Sequence, residues 1–235
     1  KIDYVVLDKQ PDNLRIIHKD DVGKKREHKI LDNALIRENF QRNFVHNKLI
    51  GFDDEDLILI NDLDEIPDLE KFQYKKKITI FQQKMLYFKF NLMYPDILWS
   101  GSKICKKKHL VNPQWLRNIK TRKYPLWRLD ILFSKKRYND IQIVKEGGWH
   151  FTNIKSAEEI HHKMKNFLHH YEYEESGLKP EDIKKLIKQR KALYNYGADK
   201  RQEKWSNNSD LIKINLELLP KYISDNKNKF KEWID

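Results

Sequence analysis

The stretch LILINDLDEIPD, residues 57–68, decides how this chain is read. Leu57 to Ile60 are apolar, and Asp62, Asp64, Glu65 and Asp68 follow at once. A short apolar run closed by a polar turn reads as a buried strand. Because it is apolar on both faces, the run predicts a central strand covered by helices, in an α/β fold with a mostly parallel sheet. Pro67 stops the chain just beyond the acids, so they lie at the carboxyl end of that strand, where open α/β sheets place their ligands. Carboxylates gathered this closely repel one another unless something positive sits among them.

Asp62 and Asp64 are one residue apart at a turn, a spacing that can bring both carboxylates to one side. Two hard oxygen donors on a rigid support suit Mg²⁺ or Mn²⁺, which take one or two carboxylates together with substrate phosphates. A solvated acidic loop is the ordinary alternative. The strand before and the proline after favour the site.

A second feature is GGWH, residues 147–150. Paired glycines allow close backbone approach or positive φ, and a neutral imidazole at His150 is a good ligand for Mn²⁺. A third is RENFQRN, residues 37–43. On a helix Arg37 and Gln41 share a face and Arg42 lies about 100° round; such groups suit phosphate or base contacts. His161, His162, His169 and His170 share one helix without acids at a ligating spacing and read as surface or packing residues.

The rest of the chain fits an α/β reading. Residues 2–8, IDYVVLD, read as a strand and residues 12–29 as a loop. A helix is expected from an Asn33 cap to Leu49, ended by Gly51. Residues 78–90 and 97–105 read as two paired strands, and NPQWLRNIK as a short helix capped by Asn112 with Pro113 in its first turn. Residues 140–152 read as a strand ending in the glycine pair. Ser156 and Glu159 form a capping box for a helix whose apolar face is Ile160, Met164, Phe167, Leu168 and Tyr171. Another helix starts at Pro180, and the apolar tail from Leu211 packs back on the body. One catalytic domain over 1–235 is expected, with 156–235 a mainly helical C-terminal portion.

Lysine and arginine total 47 against 35 acids, a net charge of +12, which favours anionic partners. The single cysteine, Cys105, rules out an intramolecular disulfide and fits a reducing compartment such as the cytoplasm of a bacterium or a virus-infected cell. No apolar run approaches the roughly 20 residues of a membrane span; peripheral membrane contact stays open, and the oligomeric state is not legible.

With DLILINDLDEIP, RENFQRN and GGWHF, the chain resembles glycosyltransferase family 17, which includes the β-1,4-mannosyl-glycoprotein N-acetylglucosaminyltransferases. The similarity runs through KMLYF, LWSGSKI, NPQWLRN and LPKYISDNKNKF, over nearly all of residues 30–235. The resemblance implies a GT-A-type fold, a UDP-sugar donor and a glycan acceptor. It also implies an inverting, Mn²⁺-assisted transfer of a sugar, GlcNAc first among candidates. It places Asp62, Asp64 and His150 at the metal, Asp64 directly and Asp62 through ribose or water. Arg37, Gln41, Arg42, Asn43, Asp62 and Lys84 fall on the donor side, and Tyr87, Trp99, Gly101 and Trp149 near the acceptor.

For the base that deprotonates the acceptor, Glu65 is the first candidate, with Asp96 and Glu146 as rivals. The helix start at Asn112–Pro113 lacks the acid that often serves there. The family's earlier strand and Glu-containing segment are expected to be missing upstream of residue 1. Two other classes compete: a metal-dependent nuclease or phosphatase, and a basic nucleic-acid-binding module. The first lacks a second acid cluster in the sequence; the second lacks a motif and a basic stripe, so no nucleic-acid partner is expected.

Overall fold

The computed structural model describes residues 2–121, 134, 140–166, 170–196, 205 and 209–235, and at Asp96 the backbone alone. Its elements run α1 (Gly23–Phe44), β1 (Leu57–Ile60), β2 (Glu65–Pro67), β3 (Ile78–Phe81), β4 (Gln83–Tyr87), β5 (Leu92–Trp99), β6 (Lys103–Lys106) and α2 (Pro113–Asn118). They continue with β7 (Ile141–Val144), β8 (Gly148–Thr152), α3 (Ala157–Lys165), α4 (His170–Ser176), α5 (Pro180–Lys188), β9 (Ile212–Lys213) and α6 (Lys221–Asp225). This is a mixed α/β fold, and among the described residues no helix is long and apolar enough to cross a membrane.

The strands form two sheets, ordered β1-β6-β3-β7 and β2-β8-β4-β5-β9. Only β3 with β7 and β4 with β8 run parallel; the other pairs are antiparallel. The expectation of a mostly parallel sheet is therefore corrected. So is the central place of β1, which is an edge strand paired with β6 alone. Its two apolar faces are both used nonetheless. Ile60 packs with Trp115 and Leu116, and Leu59 with Phe81 and Ile104. Coverage on both faces, which the residues do encode, does not require two strand neighbours.

The segments 78–90 and 140–152 each pass from one sheet to the other instead of forming single strands. Gln82 separates β3 from β4, and residues 145–147 separate β7 from β8. At the crossing, Gln82 N donates to Val144 O at 3.0 Å and Gly147 N to Gln82 O at 2.7 Å, so the seam keeps its backbone bonds. Gly148 has φ +132°, and a Cβ there would stand 2.2 Å from Ile66 O. The close backbone approach expected of the glycine pair is real, and it lets β2 lie against β8.

The N-terminal expectations fare less well. Residues 2–8 form no strand, and Ile2, Tyr4 and Val6 are exposed. Helix α1 begins at Gly23, inside the expected loop, and Asn33 is a buried mid-helix residue. Its amide brackets Arg15, accepting from Arg15 N at 2.6 Å and donating to Arg15 O at 2.9 Å. Asn112 does cap α2, accepting from Trp115 N at 2.7 Å. The Ser156–Glu159 capping box is present on α3. Ile160 and Met164 enter the main core with Met85, Tyr87, Tyr94, Ile183 and Leu211, so the helical portion packs on the second sheet. Tyr171 is exposed, and Phe167 and Leu168 lie outside the described residues. The tail packs back as expected: Leu219 and Ile223 join Leu86, and Phe90 N donates to Trp233 O at 2.8 Å.

Candidate functional site

The acids of 62–65 occupy the turn between β1 and β2, and Glu65 locks it. Asp62 N donates to Glu65 Oε2 and Glu65 N to Asp62 O, each at 3.0 Å. Asn61 Nδ2 reaches Asp62 O and Glu65 O at 3.0 and 3.1 Å. The turn sends the two aspartates to different neighbours, Asp62 toward the helices α1 and α2, Asp64 toward β8.

The positive groups beside these acids are two arginines. Arg117, on α2, donates to Glu65 at 2.8 and 3.0 Å and to Asp62 Oδ2 at 2.6 Å. Arg42, on α1, donates to Asp62 Oδ1 at 3.0 Å and is itself held by Gln114 and by Glu38 at 3.0 Å. Asn43 accepts from Gln114 N at 2.9 Å, which fixes α1 against the start of α2. The Glu65 side chain has no exposed surface. It also accepts from Trp99 Nε1 at 2.6 Å and Ser102 Oγ at 3.3 Å. Its lone pairs are thus spoken for by charge-assisted and neutral donors, which disfavours taking a proton from an acceptor. A buried carboxylate so fully bonded is a poor fit to the role of base expected of Glu65. Asp62 likewise spends both oxygens on arginine.

Gly101 is space, not an acceptor contact: a Cβ there would fall 1.7 Å from Glu65 Oε1 and 2.4 Å from Trp99 Nε1. Trp99, anchored by Glu65, lays its indole on the His150 ring at 4.5 Å and 15°. The β2–β8 register places Glu65 opposite His150, and Phe151 N donates to Asp64 O at 2.8 Å. As a result His150 Nε2 and Asp64 Oδ2 stand 3.5 Å apart. Burial alone would push the Asp64 carboxyl up; the His150 hydrogen bond and charge, with Lys163 behind them, outweigh it and hold the carboxyl below its ordinary value. Among the described residues His150 Nδ1 is buried without a hydrogen-bond partner, and ring stacking on Trp99 holds the imidazole.

Among the described residues no three His, Cys, Asp or Glu side chains converge as a metal cage. Asp64 and His150 do fit as a two-donor half-site of the kind Mn²⁺ or Mg²⁺ completes with substrate oxygens. Asp62, turned to its arginines, does not fit as a direct ligand.

The remaining expected residues scatter, for reasons of strand alternation. Lys84 and Ile66 pair across β8 with Trp149, whereas Met85 and Glu65 pair with His150. Lys84, Trp149 and Glu146 therefore lie together on the other face of the sheet, Lys84 Nζ being 3.7 Å from Glu146 and Trp149 Nε1 2.7 Å from Leu218 O. Tyr87 is wholly buried and cannot meet an acceptor at the surface. Arg37 reaches Gln10 at 2.8 Å, and Gln41 is exposed on α1. The Asp96 side chain is outside the described residues.

Asp64 opens onto a groove of about 890 Å³, within the range of small-molecule sites. Phe90, Phe151, Phe230 and Trp233 pave it, and Lys155, Lys163 and Lys229 line it as well. Sequence reasoning missed Arg117, Ser102 and Lys163. Nothing local marked any of the three; Arg117 lies over fifty positions from Asp62 and Glu65.

Lys103 lies beside the network, buried, donating to the α2-end carbonyls of Arg117 and, at 2.7 Å, Ile119. Burial, reinforced by the Arg117 charge, pushes its pKa down to about 7. Between that value and the ordinary 10.5 the unfolded chain holds the proton and the folded chain does not. Stability therefore rises with pH across that window. Urea denaturation at pH 6.5 and pH 9 is expected to show a rise in the wild type that shrinks in Lys103→Met. Equal pH slopes in the two proteins would refute this account.

No protein-family model, curated protein or solved structure matches the chain.

Proposed function

We propose that the chain is a metal-dependent inverting glycosyltransferase that moves a sugar, GlcNAc first among candidates, from a UDP-sugar to a saccharide hydroxyl with a β-linkage. One observation carries the reading. Asp64 and His150, far apart in sequence and drawn from the two motifs most specific to the resemblance, meet 3.5 Å apart at the head of a ligand-sized groove.

Asp64 and His150 would hold Mn²⁺ or Mg²⁺, which supplies Lewis-acid neutralisation of charge on the departing diphosphate. The chain's own part is preorganisation. Glu65 anchors Trp99, Trp99 orients the imidazole, and the Asp64 carboxyl stays ionised beside it. Asp62, Arg42 and Arg117 stiffen the turn that carries Asp64, so the ligand pair needs little rearrangement when the donor arrives.

A panel of nucleotide sugars tests the donor class. UDP-GlcNAc with Mn²⁺ is expected to raise the melting temperature and to be slowly hydrolysed, with neither effect after chelation. A melting temperature indifferent to every nucleotide sugar would remove the donor assignment.

A further inference from the structure

The groove beside Asp64 carries a charge pattern that the transferase reading does not use. Lys155, Lys163 and Lys229 line it, and none of them has a carboxylate within 4.0 Å among the described residues. Elsewhere on this surface the lysines at 106–108 do pair with acids, Lys106 and Lys108 with Glu55 and Lys107 with Asp54. Lys163 donates to Asn153 Oδ1 at 2.9 Å, and Lys229 to the Tyr222 hydroxyl at 3.0 Å. Lys229 also stands over the Tyr222 and Phe230 rings at 5.5 and 5.7 Å. Asp64 is the one carboxylate among the lining residues. The floor beneath is aromatic, Phe90 meeting Phe151 and Phe230 edge-on at 5.3 and 5.4 Å.

A neutral glycan would use the aromatic floor and leave three ammonium groups idle at the rim. A bare inorganic anion would use the ammonium groups and leave the floor wet. A ligand with an apolar ring face and an attached phosphate uses both, through area burial below and charge-assisted hydrogen bonds above. We infer that this groove is the acceptor subsite and that the acceptor is a phosphate-bearing saccharide, its ring over the aromatic floor and its phosphate among Lys155, Lys163 and Lys229. The inference rests on the transferase reading only for the word acceptor; the binding itself does not depend on it.

Position supports the assignment. The groove is built by the end of β8, the residues after it and the C-terminal tail, while Arg42 and Arg117 lie on the other side of the turn, already neutralised by Asp62 and Glu65. Among the described residues, the lysines with no carboxylate within 4.0 Å are thus on one side of Asp64 and the arginines paired to carboxylates on the other.

Calorimetric titration of the full chain tests this with GlcNAc 1-phosphate, GlcNAc, inorganic phosphate and dodecyl phosphate, and in parallel with UDP plus Mn²⁺. GlcNAc 1-phosphate is expected to bind at least tenfold more tightly than GlcNAc or phosphate, and to lose at least tenfold in the Lys155→Gln/Lys229→Gln double variant. Both lysines are exposed, so the variant is expected to melt with the wild type. Equal binding of GlcNAc and its phosphate would overturn the inference. Tighter binding of dodecyl phosphate would overturn the saccharide part in favour of a lipid. A matching loss of UDP affinity in the variant would reassign the lysines to the donor and overturn the acceptor subsite. UDP binding without GlcNAc 1-phosphate binding sinks this inference and spares the transferase; the reverse result does the opposite.

Discussion

Replacing Asp64 by asparagine is expected to abolish Mn²⁺-dependent sugar transfer and UDP-sugar hydrolysis while leaving the fold intact. Of the acids in the turn, Asp64 is the one no arginine has taken; its side chain is 41% exposed and faces His150. Asparagine keeps the shape and removes the charge that a divalent ion requires. Losing several kcal/mol of transition-state charge stabilisation corresponds to about a thousandfold or more in turnover. Stability should move little, because the asparagine amide keeps an oxygen toward the buried His150 ring and the backbone bond from Phe151 N to Asp64 O does not involve the side chain. Steady-state rates with and without Mn²⁺, alongside a thermal melt, give both readouts. An Asp64→Asn protein that remained active and metal-stimulated would rule out the proposed ligand pair. Asp62→Asn should behave in the opposite sense, losing stability through Arg42 and Arg117 while retaining metal stimulation.

The position of the turn was legible in the sequence, and so was the approach of His150 to Asp64, though not that of Lys163. A strand run into acids and a proline places 62–65 at a strand end whatever sheet the strand joins. The Asn112 cap and the Ser156–Glu159 box are local devices and were readable for that reason. Sheet order was not local. LILI is equally apolar whether both its faces meet helices in a central position or meet α2 and β3 side chains at an edge. The string ITIFQQKMLYFKF holds no turn residue at Gln82, where the chain changes sheets, because the seam's hydrogen bonds come from Val144 and Gly147, over sixty positions away. That one crossing decides the faces of Lys84 and Tyr87, and with them two of the expected site roles. The split between Asp62 and Asp64 was hidden for a related reason: it is set by Glu65 folding back on the turn, and by an arginine on a helix read only for its cap.

Removing either Glu65 or Arg117 is expected to be the most damaging change to stability. The Glu65 carboxylate is buried and fed by Arg117, Trp99, Ser102 and the Asp62 amide, so Glu65→Ala leaves a guanidinium that is itself 10% exposed with only the half-exposed Asp62 as its acid. Breaking a buried pair from one side costs about 3–5 kcal/mol, since the remaining charge stays desolvated and loses its buried partner. At this chain length that is a fall in melting temperature of roughly 10 °C. Arg117→Met should cost a similar amount by leaving Glu65 unpaired. Removing both charges, as Glu65→Ala with Arg117→Met, should cost clearly less than the two single changes added together. Urea denaturation of the four proteins closes the cycle, and strict additivity would mean that the two residues do not act as a unit. Activity supplies a second reading of the same cycle. Glu65 holds the indole that holds His150, so Glu65→Gln, which keeps an acceptor for Trp99 Nε1, should retain more metal-stimulated turnover than Glu65→Ala at a temperature where both are folded. A base at Glu65 predicts otherwise: glutamine and alanine would be equally inactive there, while a positioning residue is rescued in proportion to the hydrogen bond it keeps.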